Sequence, residues 1–186
     1  MSMRSRLISA TTKMTGETLV SLLQNHNNVV IIDCRTQYEM QGGHIKGSIP
    51  LPSLQELYNL FFRNVLSETF IVFHCEFSTV RAVKALEEFN NLDAFFMKRN
   101  GQFPHAAYPN TFLLVGGYHM FYKRHSEYCQ GGYVDTYSCS SDEKLKCLKQ
   151  IRKRSCVFTH MNNAEQMELI KPDEKLVVES SLIQSD

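Results

Sequence analysis

Three runs along the chain are apolar without interruption: Val29-Val30-Ile31-Ile32, Phe70-Ile71-Val72-Phe73 and Phe112-Leu113-Leu114-Val115. A strand with one wet face alternates between apolar and polar residues, so each run reads as a strand covered on both faces, the first extending to Asp33 and the second to His74. Between the strands the period changes. Leu54, Leu57, Tyr58, Phe61, Phe62 and Val65 recur at helical spacing, and Val80, Val83, Leu86 and Phe89 lie three residues apart. Both sets predict amphipathic helices. A shorter helix is expected over residues 19–23 and another over 118–124. Residues 42–47, with three glycines, read as irregular, and residues 97–110, with Gly101, Pro104 and Pro109, as a long surface loop. Ser140 and Glu143 form a capping box that opens a helix carrying Leu145, Leu148 and Ile151. Past residue 157 the periodicity fades, and an irregular tail is expected to 186.

Apolar strands alternating with helices predict an α/β fold, a central parallel sheet flanked by helices on both faces. Right-handed crossovers bring the loops that follow each strand to one edge, where ligands bind. Asp33-Cys34, the segment from Cys75 to Arg81, and Gly116-Gly117 should therefore converge.

Composition narrows the function classes. The chain has 186 residues, 43% hydrophobic and 21% charged, with 20 basic against 19 acidic side chains. That is one domain of ordinary size, expected to span residues 1–156, and its near-neutral charge argues against nucleic acid as a partner. No membrane-length apolar run and no secretory signal stand out, so an intracellular, monomeric protein is expected. Cysteines at 34, 75, 129, 139, 147 and 156 include no C-x2-C pair, which suggests neither a disulfide framework nor a zinc site. No metal or organic cofactor is expected.

The chemistry concentrates in His74-Cys75-Glu76-Phe77-Ser78-Thr79-Val80-Arg81. Here a cysteine and an arginine are separated by five residues between a buried strand and a helix. Backbone N–H groups in such a loop curl around an anion, the helix N-terminus adds its dipole, and a guanidinium closes a bidentate clamp on phosphoryl oxygens. The same field stabilises a thiolate, which makes Cys75 a candidate nucleophile. The bland alternative is a small buried cysteine at a strand end and a surface arginine. His74 reads as a buried structural histidine, and the basic run from Lys144 to Arg154 as a solvated helix face or a docking patch.

Ile31-Ile32-Asp33-Cys34-Arg35, Tyr38-Glu39, Gly42-Gly43-His44-Ile45-Lys46-Gly47, the cysteine loop, Tyr108-Pro109 and Gly116-Gly117-Tyr118 occur in one order. In this they resemble the catalytic domain of the M-phase inducer phosphatases, the cell-division-cycle type 25 family. The resemblance covers residues 7–133 and implies a rhodanese-like fold. It also implies a dual-specificity phosphatase that removes inhibitory phosphates from threonine and tyrosine of a cyclin-dependent kinase, bound to cyclin, and promotes entry into mitosis in nucleus and cytoplasm. Cys75 would form a phosphocysteine, and Arg81 would hold the phosphoryl group. Glu76, Phe77, Ser78, Thr79 and Val80 would supply loop donors, and Cys34 would serve as redox partner of Cys75. Glu76, the nearest carboxyl in sequence, is a candidate general acid, or else turns to solvent. Asp33, Arg35, Glu39 and His44 are expected to hold the scaffold.

Two positions depart from the family pattern: Val80 replaces a glutamate beside the arginine, and Lys84 replaces an arginine. Both sit at the active-site rim, and the lost carboxylate bears on how Arg81 is oriented and how the leaving group is protonated. The long regulatory N-terminal region of animal members has no counterpart in this sequence, so control through it is not expected. Rival readings are a rhodanese-type sulfurtransferase with a persulfide on Cys75, and a weakly active kinase-binding module.

Overall fold

The computed structural model describes residues 12–26, 28–138 and Asp142. The expected helix from Ser140, its basic run and the tail lie outside the described residues. In chain order the elements are β1 (Lys13–Met14), α1 (Gly16–Asn25), β2 (Val29–Asp33), α2 (Gln37–Gly42), β3 (Gly43–Ile45), β4 (Ile49–Pro50) and α3 (Leu54–Leu57). They continue with β5 (Phe70–His74), α4 (Arg81–Arg99), β6 (Thr111–Leu114), α5 (Gly117–His125) and β7 (Cys129–Gly131).

Five strands form one sheet in the order β1-β6-β5-β2-β4, every neighbouring pair parallel. Successive side chains of a strand point to opposite faces. Ile32, Ile71, Phe73 and Leu113 accordingly enter one core with Leu54, Leu57, Leu86 and Phe89 of α3 and α4. Ile31, Val72 and Leu114 enter the other with Leu19, Tyr118 and Phe121 of α1 and α5. Both faces need apolar residues, which is why the strands do not alternate.

Four expectations change. The glycine-rich stretch is partly regular: β3 pairs antiparallel with β7, Gly43 opposite Gly131 and Ile45 opposite Cys129. The helix expected through Val65 has one α-turn over Leu54–Leu57, a wider π-turn over Tyr58–Phe62, and ends there. The π-turn sets Phe61 and Phe62 against Phe89. The helix after the cysteine loop begins at Arg81, so Val80 caps it and stays exposed, while Ala82, Ala85, Leu86, Phe89 and Leu92 are buried.

Residues 97–110 are not simply a surface loop. Helix α4 continues to Arg99, and Ala107 and Tyr108 are buried. Their amides donate to the Asp93 carboxylate at 2.9 and 3.1 Å, and the Tyr108 hydroxyl donates to the Phe61 carbonyl at 2.5 Å.

Candidate active site

The loop from Cys75 to Val80 leaves the C-terminal end of the central strand β5 and enters α4, a helix of 19 residues. Its curl depends on Ser78, which sits at φ 55° in the left-handed region, and whose buried hydroxyl lies 3.5 Å from the Cys75 amide. A non-glycine residue held there costs on the order of 1 kcal/mol and persists because the surroundings impose it. The loop is braced from below by α5. The Tyr118 and His119 amides donate to the Cys75 and Glu76 carbonyls, each at 2.9 Å. This close approach requires Gly117, at φ 58°, where a Cβ would come within 2.3 Å of the Cys75 oxygen.

Cys75 is 3% exposed. Phe77 and Thr79 are exposed, whereas Ser78 is buried. The loop thus turns Phe77, Thr79 and Val80 to solvent while Cys75 is buried beneath them.

Arg81 is held from two sides. Its Nη1 and Nη2 donate to Glu39 at 2.5 and 3.0 Å, and Nη2 donates to the Thr136 hydroxyl at 3.0 Å. Glu39 was expected to serve the scaffold; it lies instead in the site. Thr36 caps α2 in a capping box with Glu39, which aims the carboxylate at Arg81. Burial opposes ionisation of Glu39, but donors from Arg81, Thr36 and Thr136 outweigh it and hold its carboxyl below the usual range. Its contribution to stability is therefore complete above the ordinary glutamate range and lost as pH falls through the lowered one.

Glu76 does not turn to solvent. It is 2% exposed, accepts from the Tyr133 hydroxyl at 2.5 Å, and lies 2.6 Å from the Thr136 hydroxyl and 3.7 Å from Arg81. The position thought to be weakened by Val80 is supported by these two carboxylates. Val80 and Lys84 themselves are exposed at the rim.

Tyr133 and Thr136 were not singled out in the sequence. They follow β7 in an irregular segment with no periodicity to mark them, and they reach the loop only because β7 pairs with β3.

Cys34 follows β2 as Cys75 follows β5. Asp33 and His74 are register partners, and the Cys34 amide donates to the His74 carbonyl at 2.7 Å. The two cysteines are therefore neighbours across a strand spacing of about 4.8 Å. Both are buried and part of the same core. Asp33 and Arg35 do hold the scaffold: Arg35 pairs with Asp33 at 2.7 Å, donates to the Gly43 carbonyl, and stacks 3.8 Å over Tyr118. His44 Nδ1 lies 3.1 Å from the Met40 carbonyl. His74 is fully buried, and burial pushes its pKa down, although the nearby Asp33 carboxylate pulls the other way. It is buried, as expected, but not fully satisfied: its Nε2 lies 3.6 Å from Asp33 with no hydrogen bond.

Residues 15–124, more than half of the chain, match the rhodanese-like domain family. The M-phase inducer phosphatase 1-B of Xenopus laevis is 35% identical over 128 residues, 63% of this chain and 22% of that protein. The M-phase inducer phosphatase of Schizosaccharomyces pombe is 33% identical over 172 residues, 87% of this chain and 28% of that protein. The chain spans about a quarter of the length of these relatives. Among solved structures, an As-Sb reductase from Leishmania major aligns with a TM-score of 0.50 at 26% identity, over 75% of this chain and 99% of that one. A parallel sheet with a cysteine loop at its C-terminal edge and a family match over most of that sheet lead to one conclusion: the chain belongs to the rhodanese-like domain family and is related within it to the M-phase inducer phosphatases.

Proposed function

We propose that this protein is a dual-specificity protein phosphatase acting through a cysteinyl phosphate. Its substrate in this reading is a cyclin-dependent kinase, complexed with cyclin and carrying inhibitory phosphothreonine and phosphotyrosine. Removing those phosphates, in nucleus and cytoplasm, promotes entry into mitosis. The observation that carries the reading is the six-residue step from Cys75 to Arg81. It places a buried sulfur at the floor of a backbone curl and a guanidinium, oriented by two carboxylates, at the N-terminus of α4.

The Cys75 thiolate attacks phosphorus, the bond to the leaving oxygen breaks, and that oxygen takes a proton. Water then attacks the phosphocysteine and releases inorganic phosphate with the thiolate. Loop amides from Glu76 to Val80 and the Arg81 fork meet the charge on the equatorial oxygens as it spreads in the transition state. Glu76 was the candidate general acid. Its oxygens are taken up by Tyr133 and Thr136, which fits a carboxylate that positions Arg81 better than an acid facing the substrate.

The sulfurtransferase alternative uses the same cysteine but a smaller anion, and a five-residue insert between cysteine and arginine suits a phosphoryl group. The test is a paired assay on the purified chain: hydrolysis of an aryl phosphate without added metal, against transfer of sulfur from thiosulfate to cyanide. Phosphate release well above sulfur transfer is expected; the reverse overturns the reading.

Cys34 is the proposed redox partner. Peroxide converts the Cys75 thiolate to a sulfenic acid, and the Cys34 thiol condenses with it, forming the disulfide and releasing water. Mild peroxide should inactivate wild type in a way that dithiothreitol reverses, with one Cys34–Cys75 bond in a peptide map. Cys34→Ser should start near wild-type activity yet lose most of the recovery, because oxidation of Cys75 runs on to sulfinic acid. Equal recovery of both proteins would refute the role.

A further inference from the structure

Thr136 stands where three charged side chains meet. Its Oγ1 lies 2.9 Å from Glu39 Oε1, 2.6 Å from Glu76 Oε2 and 3.0 Å from Arg81 Nη2. A hydroxyl has one proton to give and two lone pairs to receive. Arg81 donates to it, which leaves its single proton for two carboxylate oxygens. The proton is shared between the two, and one hydroxyl thereby ties both carboxylates to the guanidinium.

Both carboxylates are also held by other donors. Glu39 accepts from the Thr36 amide and hydroxyl, each at 2.9 Å, and from both Arg81 nitrogens. Glu76 accepts from Tyr133 on one oxygen and from the Thr136 amide, at 3.4 Å, on the other.

The geometry points to Thr136 as a positioning residue of the active site, its hydroxyl joining Glu39 and Glu76 to the Arg81 guanidinium and so fixing the orientation of Arg81. Thr136 acts only through Arg81, and its effect on turnover rests on the phosphatase reading above. Without the hydroxyl, two buried carboxyl groups face each other across an apolar gap and compete for the guanidinium. The segment after β7, rather than the loop itself, then sets how the clamp meets its anion.

Two measurements on the purified chain test this. Thr136→Val, which keeps the shape, should lower kcat for an aryl phosphate about tenfold with KM changed far less, and Thr136→Ser should restore most of it. Inorganic vanadate should bind wild type several-fold more tightly than Thr136→Val by calorimetry, a readout that needs no turnover. Unchanged kcat in Thr136→Val, or equal vanadate affinity of the two proteins, would overturn the positioning role. A wild type without phosphatase activity would refute the phosphatase reading, and the vanadate comparison would still decide whether Thr136 orients the clamp.

Discussion

Cys75→Ser should lose turnover of an aryl phosphate by about ten-thousand-fold or more while keeping its fold. Sulfur and oxygen differ little in volume, and the side chain is buried at the floor of the loop, so circular dichroism and thermal melting should stay close to wild type. The chemical change is large. A thiol, with a free pKa of about 8.5, supplies thiolate near neutral pH. An alcohol does not, and among the described residues no histidine or carboxylate is hydrogen-bonded to the Cys75 side chain: His74 Nδ1 lies 3.4 Å from the Cys75 carbonyl. Substrate binding should survive, because the loop donors and Arg81 are untouched. Activity within tenfold of wild type would show that Cys75 is not the nucleophile.

Arg81→Lys should lower kcat by about a thousandfold. An ammonium keeps the charge but not the planar fork. Arg81 gives two N–H groups to Glu39 and one to Thr136, and this is what orients the rest of the guanidinium. A lysine has three donors on a flexible stem and would pair with Glu39 as a point charge, withdrawn from the loop. The loss should fall on kcat far more than on KM, since the fork matches oxygens of the flattened phosphoryl group better than those of the tetrahedral ground state. A raised KM with unchanged kcat would mean that Arg81 only gathers substrate.

How much of this was legible in the chain follows from where each signal lies. The strands Val29–Asp33 and Phe70–His74 could be read to the residue, because a strand apolar on both faces leaves a pattern within its own length. The cysteine loop was legible for a similar reason: nucleophile, amides and guanidinium all lie within eight consecutive residues between two well-marked elements. What stayed hidden depends on partners far along the chain. Strand β3 looked irregular because its glycines fit a strand only opposite Cys129–Gly131. Val80 looked like a core residue because three-residue spacing does not reveal where a helix begins. Glu39 was read as scaffold and Glu76 as a free acid, since neither shows in sequence that both converge on Arg81 and Thr136. Tyr133 and Thr136 carried no local signal at all.

The proposed covalent intermediate can be tested directly. Wild type mixed with an aryl phosphate and quenched in acid within one turnover, then digested and mapped by mass, should carry a single phosphoryl group on the Cys75 peptide. The group should vanish on longer incubation as water completes the cycle, and it should be absent from Cys75→Ser. Phosphate released in a burst-free reaction with no mass on Cys75, or a phosphoryl group found on another residue, would contradict the cysteinyl-phosphate route.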